Sequence, residues 1–143
     1  MKNRFPLDVV LMVRRNSEDK HAVRLKTIME KRSELLESLR VMRRAVEQLE
    51  ERRAEQVAAF ELASGQKYRE MLYKRCNSIL AEIEKVGAQE SAQRKELMNA
   101  LKERKKLEKL KDIWAGKLAL KLQKIESAEM DETARFQFAR EAL

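Results

Sequence analysis

Apolar residues recur along most of this chain at alternating steps of three and four, the spacing that lines one face of a helix. From Leu25 the stripe runs through Ile28, Leu35, Leu39, Met42, Val46, Leu49 and Phe60, with Arg32, Arg53 and Gln56 as polar breaks. A second stripe runs through Leu72, Cys76, Ile79, Ile83, Val86, Leu97, Ala100, Leu107, Trp114, Leu118, Ile125 and Ala128. Its breaks are Glu90, Gln93, Arg104, Lys111 and Lys121. Two such stripes predict two long helices that bury them against each other as a coiled-coil seam, less stable wherever a polar residue interrupts it.

Between the stripes lies Phe60-Glu-Leu-Ala-Ser-Gly-Gln-Lys-Tyr-Arg-Glu70. Ser64 and Gly65 are both weak helix formers, and glycine readily supplies the left-handed conformation that ends a helix. Gly87 lies between apolar stretches that keep their phase, so it reads as a tolerated weak point. The pattern therefore predicts an all-α fold, a long antiparallel two-helix coiled-coil hairpin forming a single domain over 1–143. Its expected parts are a helix over about 7–62, a turn over about 63–66 and a helix over about 67–138, with residues from about 126 to 143 overhanging. A turn at Ser64–Gly65 places Leu49 near Leu80, Leu25 near Arg104, Leu11 near Leu118 and Leu7 near Leu122. A seam satisfied within one chain predicts a monomer.

Composition agrees with this architecture. Charged residues make up 39% of the 143, with 3 Gly, 1 Pro and 5% aromatics, a profile of long helices rather than of a compact core. At 43% the hydrophobic fraction is too high for a disordered chain once it falls in a stripe. The apolar cluster Leu7–Val13 is far shorter than a membrane span, and Arg14-Arg15 follow it where a signal peptide has small residues. A single cysteine, Cys76, forms no internal disulfide and suits a reducing, cytoplasmic setting.

Charge is uneven. Residues 94–124 hold 11 Lys or Arg against 4 Asp or Glu, a local +7 beside the whole chain's +8, and the segment after them reverses sign. Nucleic acid is the obvious charged partner, but the basic residues interleave with seam positions, no nucleic-acid-binding motif is present and aromatics are too few to stack bases. No nucleic-acid partner is expected. A basic membrane-surface helix is disfavoured because 94–124 shows no separate apolar face beyond the seam.

Catalytic chemistry is not indicated. His21, the one histidine, stands alone near Glu18, and Cys76 lies on the seam where a thiol is inert. No glycine loop for a nucleotide, metal-ligand cluster or nucleophile motif occurs. The expectation is a non-enzyme without cofactor or metal.

The opening Arg4-Phe-Pro-Leu-Asp-Val-Val-Leu-Met-Val-Arg-Arg-Asn-Ser-Glu-Asp-Lys-His-Ala-Val-Arg-Leu25 resembles the start of the FliJ family of flagellar export proteins. An aromatic near the N-terminus, an aliphatic cluster and basic residues precede a heptad helix in both. The end, Glu126-Ser-Ala-Glu-Met-Asp-Glu-Thr-Ala-Arg-Phe-Gln-Phe-Ala-Arg-Glu-Ala-Leu143, is similar to that family's closing segment. The resemblance spans the chain.

It implies a stalk that enters the central hole of the hexameric flagellar export ATPase, promotes its assembly and activity, and links it to the cytoplasmic domain of the export-gate membrane protein and to export chaperones. The implied location is cytoplasmic, peripherally associated with the inner-membrane export apparatus. In the family the end bearing the termini enters the ring. Carried onto this chain, that end offers Phe5, Leu7, Val10, Leu11, Arg14, Arg15, Lys117, Met130, Asp131, Phe136 and Phe138. For the gate the family tends to use aromatic or polar residues near the middle of the chain, where this sequence offers Leu39, Met42, Val46, Leu72, Ile79 and Ile83. The YscO-type stalk of virulence injectisomes shares the architecture, and a coiled-coil scaffold is the generic alternative.

Overall fold

The computed structural model describes residues 4–55 and 59–142, and they form two helices: α1 (Asp8–Glu55) and α2 (Ala59–Glu141). Among the described residues there is no strand. Helix α1 starts just after Pro6, with the Asp8 amide donating to the Phe5 carbonyl at 3.1 Å and the Asp8 carboxylate favourably placed at the positive end of the helix dipole. Arg52 and Arg53 complement the opposite end. The expected all-α hairpin of two long helices packed against each other is borne out, and the packed segments run antiparallel in each of two compact units.

The first unit comprises residues up to Glu18 together with Asn99–Leu143. Here Phe5 and Trp114 stack with ring centroids 5.7 Å apart and planes tilted by 55°, and Leu11 is 1% exposed. A ladder of ion pairs flanks this apolar contact: Asp8 with Lys111 at 2.9 Å, Arg15 with Glu108 at 3.3 Å, and Arg104 with both Glu18 and Glu108. As numbers rise on α1 they fall on α2, which fixes the antiparallel sense.

The second unit, Asp19–Met98, buries Leu39, Leu72, Cys76 and Val86, and half-buries Leu25, Ile28, Leu35, Met42, Val46, Leu49, Ile79 and Ile83. These are the stripe positions expected from periodicity. Two polar breaks meet across the seam: Arg32 reaches Glu90 at 2.8 Å, and Gln93 donates to the His21 carbonyl at 3.2 Å. Glu50 pairs with Arg69 at 2.6 Å and accepts a hydrogen bond from Tyr73.

The structure corrects the expected turn. Residues 63–66 lie inside α2, and no described glycine has a left-handed backbone. One glycine costs a helix only about 1 kcal/mol, so a long helix can run through it. The pairing is corrected with it. Arg104 faces Glu18 rather than Leu25, and Glu50 meets residues 69 and 73 rather than the neighbourhood of Leu80. The slip amounts to about one heptad, which keeps every a and d position on the seam. That is why the buried stripe was legible while the partners along it were not. Gln56 lies outside the described residues.

Candidate interaction surfaces

The residues expected at the terminal end divide into two groups. Phe5 and Leu11 are buried within the first unit, so they hold the helices together and offer no free side-chain surface. Leu7, Val10, Arg14, Lys117, Met130, Asp131, Phe136 and Phe138 are all exposed. Arg15 is exposed and ion-paired to Glu108.

From Ala119 to Ala142 every residue is exposed while the backbone remains helical to Glu141. Here α2 continues past the last half-buried seam residue, Leu118. Phe136 and Phe138 stand 75% and 76% exposed among Glu129, Asp131 and Glu132. Burying either ring is worth on the order of 2–3 kcal/mol to whatever covers it.

The residues expected toward the gate are seam residues. Leu39 and Leu72 are buried, and Met42, Val46, Ile79 and Ile83 are half-buried in the packing of the second unit. The exposed large hydrophobic residues flanking that packing are Leu36, Val41, Tyr68, Met71 and Tyr73. Both tyrosines fall outside the apolar stripe. Their off-phase position was itself the available signal, since an aromatic off the seam of a two-helix coil has no core to fill. Arg69 lies 5.4 Å above the Tyr73 ring and ties it to Glu50, so this flank is held in a fixed geometry.

Electrostatics at both seams are set by matched charges. Hydrogen bonds from Arg94 and Arg32 hold the Glu90 carboxyl below its usual range, and Arg104 does the same for Glu108. The Arg104 guanidinium is in turn pushed above its ordinary value by Glu18 first and Glu108 second. Among the described residues no group of His, Cys, Asp and Glu is arranged to hold a metal ion, and no helix is long and apolar enough to cross a membrane.

A family model described as flagellar FliJ protein matches residues 1–143, the whole chain. The chain belongs to the FliJ family. That membership makes it a component of flagellar type III export. No curated protein and no solved structure matches the chain.

Proposed function

We propose that this chain is the non-enzymatic central stalk of the flagellar export ATPase. The observation that carries the proposal is the helical extension 119–142, exposed along its full length and ending in Phe136 and Phe138, on a chain of the FliJ family. A single helix of about 10–12 Å diameter, projecting beyond a two-helix body, is slender enough for the hole of a protein ring. Few apolar anchors and dispersed charge suit an asymmetric axle in a symmetric partner, because strong contacts at one angle resist motion. Leu7, Val10, Arg14, Arg15, Lys117, Met130 and Asp131 complete the ring-facing set.

A ligand that prefers the assembled hexamer stabilises it by mass action. The chain thereby promotes assembly and activity of the ATPase. Its second unit, through Leu36, Val41, Tyr68, Met71 and Tyr73, faces the cytoplasmic domain of the export gate. Export chaperones are further partners, and the protein is cytoplasmic and peripheral to the inner membrane. Because the seam is satisfied within one chain, a monomer rather than a self-associating scaffold is the working form. The flagellar family match favours this reading over an injectisome stalk.

The test is ATPase activity of the purified export ATPase over a range of enzyme concentrations. The intact chain should raise activity most at sub-saturating enzyme, and a chain ending at Ile125 should lose that effect while melting normally. No stimulation by the intact chain rejects the proposal.

A further inference from the structure

The side of α2 opposite the seam, over residues 102–124, carries a pattern distinct from the seam. Lys102, Lys106, Lys109, Lys117 and Lys124 follow one another at helical spacings of four, three, eight and seven, so they share one face. All five are exposed. Leu110, Ile113 and Leu120 lie among them and are 49%, 52% and 59% exposed. Of the carboxylates of this segment, Glu108 and Asp112 project from other sides of the helix, while Glu103 lies at the edge of the face and pairs with Lys106 at 3.5 Å. Among the described residues, ion pairs to cations here involve Arg104, Lys106 and Lys111, which leaves Lys102, Lys109, Lys117 and Lys124 without a carboxylate within bridging distance.

A solvated face needs no large aliphatic residues, and a coiled-coil seam does not tolerate five lysines. Interleaving the two fits a surface that is anionic at the top and hydrocarbon beneath. Leucine and isoleucine side chains enter the acyl boundary, while lysine stems lie along it and carry their ammonium groups up to the headgroups. Lysine rather than arginine agrees with a diffuse, fluid array of phosphates, since nothing on this face offers the rigid fork that reads a particular carboxylate pair. We infer that the outer face of α2 over residues 102–124 binds directly to anionic phospholipid bilayers.

This deepens the peripheral location proposed above and describes the chain outside the ring, since Lys117, Leu120 and Lys124 belong to the ring-facing end as well; it needs no other export component. The assay below contains only chain and lipid, so its failure leaves the stalk reading standing, and failure of ATPase stimulation leaves this inference standing.

The experiment is co-sedimentation of the full chain with vesicles of phosphatidylcholine alone and of phosphatidylcholine with one-quarter phosphatidylglycerol. Each lysine near an anionic surface strengthens binding about fivefold, so replacing Lys102, Lys109 and Lys124 together by Gln should weaken binding to the anionic vesicles roughly 100-fold. Replacing Lys67, Lys74 and Lys85 by Gln removes the same charge from exposed positions elsewhere on α2 and should leave binding within about threefold, as only local charge acts beyond a Debye length. Ile113→Ser with Leu120→Ser should weaken binding at least tenfold. All variants are compared at equal helicity by circular dichroism. Equal losses from the two lysine sets, no effect of the Ile113 and Leu120 changes, binding to neutral vesicles, or no binding of the intact chain to anionic ones each overturns the inference. In the last case an acidic protein becomes the partner this face fits.

Discussion

Arg32 on α1 donates to Glu90 on α2 at 2.8 Å, and Glu90 is 6% exposed on the seam, one turn from the buried Val86. Arg94, one turn further along α2, takes the other carboxylate oxygen at 2.9 Å. Both residues interrupt the stripe of their own helix, and the fold brings the two interruptions together. Slipping the helices by one heptad faces each of them with an aliphatic residue. A buried charge without a partner is strongly unfavourable, so this pair selects among registers that the apolar positions alone leave equivalent.

The pair therefore behaves as one unit. Arg32→Gln and Glu90→Gln should each lower the melting temperature, and the double variant should lose no more than the worse single change. Thermal melts followed by circular dichroism in a double-mutant cycle measure this, and additive losses contradict it.

Acid should weaken the fold in a defined window. The Glu90 and Glu108 carboxyls are held below their ordinary value near 4.5, Glu90 by Arg94 first and Arg32 second, Glu108 by Arg104. A folded-state value below the unfolded one means that the unfolded chain binds more protons, so the stabilisation is fully present above the unfolded value and is lost as pH falls through the lowered folded one. Melting temperature should be level from pH 7 to about 5 and fall below about 4. With both residues changed to Gln the fall should be shallower.

Packing in the first unit rests on Leu11 and Phe5. Leu11→Ala removes a side chain 1% exposed and should cost about 2–5 kcal/mol, with Phe5→Ala costing about 3–5 kcal/mol through loss of its contact with Trp114. Phe136→Ala, on an exposed stretch, should stay within about 0.5 kcal/mol. Urea denaturation of the three variants separates seam from surface.

How far the sequence carried this picture depends on the kind of signal. Steps of three and four identified the buried stripe because burial repeats with the helix, and Leu39, Leu72, Cys76 and Val86 are where that rule puts them. Register escaped it, since a heptad slip preserves the rule; Arg32 and Glu90 carried the missing information as a matched pair of breaks. Gly65 misled because a glycine that can end a helix can equally sit inside one. The candidate surfaces were harder still. Phe136 and Phe138 were legible as terminal aromatics without a seam position, whereas Phe5 and Leu11, equally apolar and equally terminal, proved to be core. Only the geometry of packing separates such residues. The aliphatic members of the lysine-rich outer face were overlooked in the same way, as Leu110, Ile113 and Leu120 look like seam residues until the true seam is placed.

Binding to the export gate should depend on the exposed flank of the second unit. Tyr68→Ala with Met71→Ala should weaken binding to the gate's cytoplasmic domain at least tenfold, as aromatic anchors at interfaces usually do. Isothermal titration checks it, with Lys85→Gln as a variant that changes nothing.

The stalk account meets its most direct test in the position of the terminal aromatics within an assembled export complex. A photo-crosslinking amino acid replaces Phe138 in one cell line and Leu11 in another, and the adducts are identified by mass spectrometry. The account predicts that position 138 crosslinks to the export ATPase and that the buried position 11 gives only intrachain products. Crosslinks from position 138 to the gate protein alone, or none to the ATPase, contradict it.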